Sequence, residues 1–208
     1  MALKNFLFDI GGVILDIYPD KTRAAFKALG VAGSDTWFTG HSQALTLTRF
    51  ERGECSAADF IQENIELGGI KMSPDEFTQA WNAMLGGVPP ERLLLLESLK
   101  ENFTVMALSN INELHEAGCD RIFQSYGYPN MASLFHKAFY SHHIGHRKPE
   151  PEAFETVIDQ AGIKPEETAY FDDLPDNIAT AKALGFKAYL VEGNTIVQIA
   201  KALEENGI

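Results

Sequence analysis

The chain has 208 residues, with 17 Lys and Arg against 29 Asp and Glu, a formal charge of −12. This length suits one well-buried α/β domain, or a core domain with a small appendage. The acidic balance gives no support to duplex binding through Lys and Arg on phosphates, and two cysteines exclude a disulfide scaffold.

The apolar run "NFLF" (5–8) reads as a first strand. Lys4 ahead of it invites comparison with a signal peptide, but Asp9 interrupts the run and no small-residue cleavage pattern follows closely. Nowhere does the chain offer the ~18 consecutive apolar residues needed to span a membrane. A soluble, cytoplasmic protein with neither membrane nor nucleic-acid partners is expected.

From 18 to 87 no convincing strand occurs. "DKTRAAFKALG", "SAADFIQENIELGG" and "SPDEFTQAWNAMLGG" read as helices closing on glycine, the last two opening on a serine with an acid three residues on. After residue 88 strand and helix signals alternate. "TVMAL" (104–108), "AFY" (138–140), "TAYF" (168–171) and "KAYLV" (187–191) are short apolar runs of the kind covered on both faces. Helical segments are expected at 89–101, 111–124, 150–162 and 175–185. The expected fold is therefore α/β: a doubly wound parallel sheet in a discontinuous core (1–17 and 88–208) with a helical domain (18–87) inserted after the first strand.

Ligands of open parallel sheets sit at the carboxyl ends of the strands. Asp9, Ser109 with Asn110, Lys148, and Asp172 with Asp173 all follow strands. Singly, Asp9 and Ser109 read as caps, Lys148 as a solvated lysine, and "FDDLPDN" as a helix start whose acids complement the helix dipole. Jointly they describe a site. Converging carboxylates need a divalent cation, and oxygen-only ligation points to Mg²⁺, with Asp9 and Asp173 as ligands. A carboxylate there can attack phosphorus while a lysine, a hydroxyl, an amide and loop N–H groups stabilise the phosphoryl oxygens. Gly11 and Gly12 let the backbone turn and approach closely.

The motifs "FDIGGVILD", "LSN" (108–110), "RKPEPEAF" (147–154) and "YFDDLPDNIATAKALG" (170–185) resemble, in order and spacing, those of the haloacid dehalogenase (HAD) superfamily over essentially the whole chain. The resemblance implies a Rossmann-like core, a helical cap between the first and second motifs, and a two-step phosphatase mechanism through an aspartyl-phosphate on Asp9. It also implies that Ser109, Asn110, Lys148 and Gly12 meet the phosphoryl group. Lys148 would support Asp9 as well. Asp9, Asp173 and the Gly11 carbonyl would hold Mg²⁺, with Asp172 behind them.

One position departs from the pattern: the acid and base two residues after the nucleophile is replaced by Gly11. "FDIGGVILD" and "FERGECS" (50–56) resemble the sugar-phosphatase branch that includes bacterial α-glucose-1-phosphatase, so the implied substrate is a small phosphorylated metabolite. L-2-haloacid dehalogenases also lack that aspartate, but they work without metal and have no need of "FDDLPDN". A phosphate-binding protein of weak turnover is the alternative of another class. The missing base comes from the cap or Asp16, or else the intermediate accumulates.

"HHIGH" (His142, His143, His146) suggests a transition metal, but as a loop without helical spacing it reads as surface or cleft rim. "LLLL" (93–96) reads as a buried helix, Trp37 and Trp81 as cap core, and Tyr18, His41 and Arg49 as candidate substrate contacts in the cap.

Overall fold

The computed structural model describes residues 2–31, 41–69, 71–193 and 195–206, without the side chains of 41–43. The elements run β1 (Asn5–Phe8), α1 (Pro19–Ala28), α2 (His41–Glu51), α3 (Ala57–Gly68), α4 (Pro74–Asn82), α5 (Pro90–Lys100), β2 (Thr104–Ser109), α6 (Glu113–Ser125), β3 (Lys137–Tyr140), α7 (Ser141–Ile144), α8 (Pro151–Ala161), β4 (Thr168–Asp172), α9 (Pro175–Ala183), β5 (Lys187–Leu190) and α10 (Thr195–Glu205). All five expected strands form.

They make one parallel sheet in the order β3-β2-β1-β4-β5. The chain winds outward from β1 through β2 to β3, then returns to the other side of β1 with β4 and β5. The switch in direction therefore lies between β1 and β4, where the doubly wound fold opens a crevice at the carboxyl ends.

Both faces of the sheet are covered, and side chains alternate between them. Phe6, Phe8, Val105, Ala107 and Phe171 pack beneath α5, α6 and α10, with the rings of Phe8 and Phe171 stacked at 5.0 Å. Leu7, Met106, Leu108 and Tyr170 pack on the other face beneath α8 and α9. Each fully buried phenylalanine here is worth about 1.5–3 kcal/mol of transfer free energy. Within "LLLL", Leu93 and Leu96 enter the core while Leu94 faces solvent.

Helices α1–α4 gather around a third cluster, in which Phe26, Phe50, Phe60, Phe77 and Trp81 are buried. Ser56 and Ser73 cap α3 and α4 through reciprocal boxes with Asp59 and Glu76, as the serine-and-acid spacing predicts. The two strands of chain leading in and out of these helices run side by side. Tyr18 N–H donates to Met84 O at 2.8 Å, Gly86 N–H to Asp16 O at 2.8 Å, and Asp16 N–H to Gly87 O at 3.0 Å, around an antiparallel bridge between Ile17 and Leu85.

Four local expectations change. Helix α4 ends at Asn82, not at Gly86. Gly86 instead permits the close pairing of the two linkers, since a Cβ there would lie 2.5 Å from Asp16 O. Helix α2 fills a stretch where none was expected; its Phe50 ring stacks 4.3 Å from Phe60, so tertiary packing offsets the weak helix propensity of its β-branched threonines. "SHHI" closes into the one-turn helix α7, ended by Gly145 at φ 76°, where a loop was expected. Helix α10 follows the last motif and is pinned by a hydrogen bond from Thr195 Oγ1 to Val13 O.

Candidate active site

The first site residue is placed by backbone pairing. Asp9 directly follows β1, and its N–H donates to Phe171 O at 2.8 Å, continuing the ladder with β4 by one residue. The chain then turns back, with Ile14 and Leu15 N–H both donating to Ile10 O at 2.8 Å and Gly12 N–H to Leu15 O at 2.8 Å. Gly12 has φ 78°, and a Cβ on it would lie 2.4 Å from Asp173 Oδ2. The positive φ favours glycine, and a side chain there would also push the Asp173 carboxylate from its place. Gly11 is different: a Cβ there would meet Ile17 at an ordinary 3.5 Å, so close approach does not require glycine at this position.

Lys148 lies between two acids. Its Nζ is 2.9 Å from Asp9 Oδ1 and 2.6 Å from Asp172 Oδ2, and its side chain is 1% exposed. Asn110 holds the lysine backbone from both sides: its Nδ2 donates to Lys148 O at 2.8 Å, and its Oδ1 accepts from Lys148 N–H at 2.8 Å. Asp172 is fully buried and its oxygens also accept from Tyr170 OH, from Leu174 N–H at 2.8 Å and from Asn177 Nδ2 at 2.9 and 3.0 Å. Its lone pairs are taken by protein donors. Asp173, half-buried, faces the cavity instead.

Burial drives the ionisation of these groups. It pushes the Asp9 carboxyl up to about 6, with Lys148 opposing and Asp172 reinforcing the shift. Asp173 is likewise raised by burial and by Asp172. For Lys148 burial works against the charge, yet Asp9 and Asp172 outweigh it and hold the ammonium above the ordinary lysine range. Three carboxylates and one ammonium leave a formal charge of −2 when all are ionised, and Asp9, Asp172 and Asp173 each bring an oxygen within 4.8 Å of the others. A divalent cation with a preference for oxygen fits that deficit.

The cavity above these groups measures about 210 Å³. Asp9, Gly11, Ser109, Asn110, Lys148 and Asp173 all line it, so four loops distant in sequence meet as their strand-end positions predict. Ile17, Met84 and Leu85 close it from the linker side. Tyr18 and Arg49 do not reach it. The Tyr18 ring packs over Gly86, and Arg49 pairs with Glu63 at 3.2 Å inside the helical insert. Trp37 and the side chain of His41 lie outside the described residues. Trp81 belongs to the insert's core and also touches α6, stacking on His115 at 4.9 Å and donating from Nε1 to Asn112 Oδ1 at 3.3 Å.

Two polar lining residues carry parts that the sequence reading did not assign them: Asn177, within "FDDLPDN", and His115, outside the motifs. Asn177 sits on the first turn of α9 and orients Asp172. His115 lies three residues after the cap Asn112, and burial lowers its pKa to about 4, so the ring is neutral above that. Its nitrogens are occupied by Trp81 O at 3.2 Å and Asn112 Nδ2 at 3.3 Å. Asp16, the acid nearest in sequence, pairs with Arg92 at 2.9 Å and does not line the cavity. Among the described residues Asp9 and Asp173 are the only carboxylates that do.

Comparison with known proteins finds relatives over most of the chain. The chain is 35% identical over 191 residues to D-ribitol-5-phosphate phosphatase of Bacteroides thetaiotaomicron, covering 91% of this chain and 92% of the relative. A HAD family enzyme of the same organism, solved in complex with magnesium and inorganic phosphate, superimposes with TM-score 0.83 at 30% identity over 92% of this chain and 96% of that one. A 2-haloacid dehalogenase of Pseudomonas syringae pv. Tomato shares the fold, with TM-score 0.66 at 19% identity over 98% of this chain and 99% of that one. The haloacid dehalogenase-like hydrolase family matches residues 3–185, and the chain belongs to it.

Proposed function

We propose that this hydrolase is a Mg²⁺-dependent phosphatase of small phosphate esters in which Asp9 is the nucleophile. The observation that carries the reading is the buried Asp9–Lys148–Asp172 chain beside Asp173, a charge deficit of −2 at the mouth of one cavity. Asp9, Asp173 and the Gly11 carbonyl would hold the ion, while Asp172 stands behind them and positions Lys148 and Asn177. Bound Mg²⁺ supplies charge neutralisation between the carboxylates and the phosphoryl oxygens.

Each residue then has a task. Lys148 holds Asp9 ionised and in place, and it balances the charge that develops on the transferring group. Ser109 and Asn110, with the loop N–H groups around Gly12, meet the remaining phosphoryl oxygens. Asp9 Oδ attacks phosphorus, the ester oxygen leaves, and water then hydrolyses the aspartyl-phosphate. General acid or base help is typically worth ~10²–10⁴ in rate, and Gly11 supplies none, so both departure of the ester oxygen and hydrolysis of the aspartyl-phosphate lose that help.

The helical insert, residues 18–87, acts as a cap that shields this cleft and selects the substrate. With −12 overall, long-range attraction of an anion is disfavoured, so affinity comes from Lys148 and the metal inside the shielded cleft. The similarity to a polyol phosphate phosphatase favours open-chain or cyclic sugar phosphates as substrates. Among the described residues no helix is long and apolar enough to cross a membrane, and the free Cys55 and Cys119 suit a cytoplasmic setting.

A panel of pentitol, pentose and hexose phosphates assayed with Mg²⁺ tests the reading. It predicts turnover of at least one of them, abolished by chelator and by Asp9→Asn. Turnover of these esters in excess chelator would remove the metal from the reading, halide release from a 2-haloacid without metal would favour the dehalogenase chemistry, and tight phosphate binding without turnover would favour the binding protein.

A further inference from the structure

A second convergence of ligand atoms lies where α6 and α7 meet the loop that follows α2. Glu116 Oε2 is 2.9 Å from His142 Nε2 and 3.4 Å from His143 Nε2. The single turn of α7 brings these consecutive rings together, with centroids 4.1 Å apart and planes tilted by 46°. His142 Nδ1 is 2.8 Å from Ile111 O, which can only accept, so Nδ1 carries a proton and Nε2 turns toward Glu116. That outer hydrogen bond to a backbone carbonyl is the arrangement that orients a metal-binding histidine.

The surroundings are built, not incidental. The loop from the helical insert presses on α7: Gly53 has φ 68°, and a Cβ there would lie 2.2 Å from His142 O. Cys55 and Ser56 of that loop and Asp59 of the first turn of α3 face the trio across a cleft that Glu113 also lines. Glu113 in turn accepts from Ala57 N–H at 3.1 Å, tying the loop to α6.

We propose that Glu116, His142 and His143 bind one zinc-type transition-metal ion, separate from the oxygen-lined site at Asp9 and Asp173. Two imidazoles and a carboxylate suit Zn²⁺, Ni²⁺ or Co²⁺, whereas Mg²⁺ takes oxygen ligands. Metal–ligand bonds of about 2.0–2.2 Å place tetrahedral donors about 3.3–3.6 Å apart; the His143–Glu116 separation of 3.4 Å falls in that range, and the His142–Glu116 separation of 2.9 Å would open by about half an ångström when the ion replaces the hydrogen bond. All three ligand atoms lie within 4.8 Å of one another, and the fourth position opens to the cleft. The ion joins α6 to α7 directly beneath the insert's loop.

Calorimetric titration of untagged protein with Zn²⁺ in millimolar Mg²⁺ tests the site, with Co²⁺ absorption in the visible as a second readout. One equivalent of Zn²⁺ should bind, and Co²⁺ should show the intense bands of tetrahedral coordination. Both His143→Ala, at an exposed ring that the fold does not need, and Glu116→Gln should weaken binding at least about tenfold and erase the bands. His146→Ala and Asp9→Asn should leave binding unchanged. Zn²⁺ that Mg²⁺ displaces, or binding as tight in His143→Ala as in wild type, would overturn the proposal and leave the trio a histidine–glutamate ion pair only.

Discussion

At the carboxyl edge of the sheet Lys148 is 1% exposed, held between Asp9 and Asp172. At the seam between α2 and the loop before α8, Arg52 pairs with Glu150 and Arg147 with Glu51, but both arginines keep about a third of their side chains in water, 34% and 32%. The two regions use the same kind of bond to opposite ends. At the sheet edge the charges are desolvated and every oxygen of Asp172 is bonded, so the geometry cannot relax when substrate arrives. At the seam the arginines keep partial contact with water, but Glu51 is only 14% exposed and burial raises its carboxyl, so of the two pairs Arg52–Glu150 is the one held loosely. Buried charge fixes the geometry of the site, whereas a partly exposed pair such as Arg52–Glu150 exchanges its contacts with water at low cost.

Asp9→Asn should have the largest effect, lowering phosphatase turnover by roughly 10⁴-fold or more while the protein stays folded. Steady-state assays with Mg²⁺ and a circular dichroism melt measure both parts, and near-normal turnover would remove Asp9 from the chemistry. Lys148→Met comes next. It strands buried carboxylates, and breaking such a pair costs about 3–5 kcal/mol; urea denaturation without metal should show it, whereas a loss under about 1 kcal/mol would mean the buried charges are better solvated than the structure shows.

A titration sharpens the contrast. The folded, metal-free Asp9 carboxyl sits at about 6 against an ordinary 3.8. Folding therefore takes up a proton in that window, and the contribution of Asp9 to stability declines as pH rises from about 4 through 6. Mg²⁺ needs the carboxylate, so its affinity should fall by up to about tenfold per pH unit below 6. Affinity that is flat from pH 7 to about 5 would show that Asp9 is ionised without the metal. The smallest effect belongs to the seam: Arg52→Ala should change global stability by no more than about 1 kcal/mol. A larger loss would make the seam a rigid joint.

The sheet and the site were legible for one reason. Parallel strands are written as short apolar runs, and whatever follows them must lie on one rim, so Asp9, Ser109, Lys148 and Asp173 could be gathered before any coordinates. What escaped depends on contacts distant in sequence. Helix α2 carries no acid in its first turn and is held by Phe50 on Phe60. The trio at Glu116 joins residues 26 apart across two helices, one of them a single turn. The role of Gly12 was visible as a permissive turn, but that a Cβ there would displace the Asp173 carboxylate became visible only in three dimensions.

Gly11 leads to the most direct test of the mechanism. Among the described residues no carboxylate besides Asp9 and Asp173 lines the cavity, and Asp16 is paired with Arg92, so water attacking the phosphorylated Asp9 has no base of the usual kind. An aryl phosphate with a good leaving group escapes the penalty on the first step but not on the second. Rapid-quench measurement of aryl alcohol release by Mg²⁺-loaded enzyme should therefore give a burst near one equivalent per enzyme, followed by slow turnover, the mark of a covalent intermediate accumulating on Asp9. A linear trace from the first turnover, with no burst, would contradict that account.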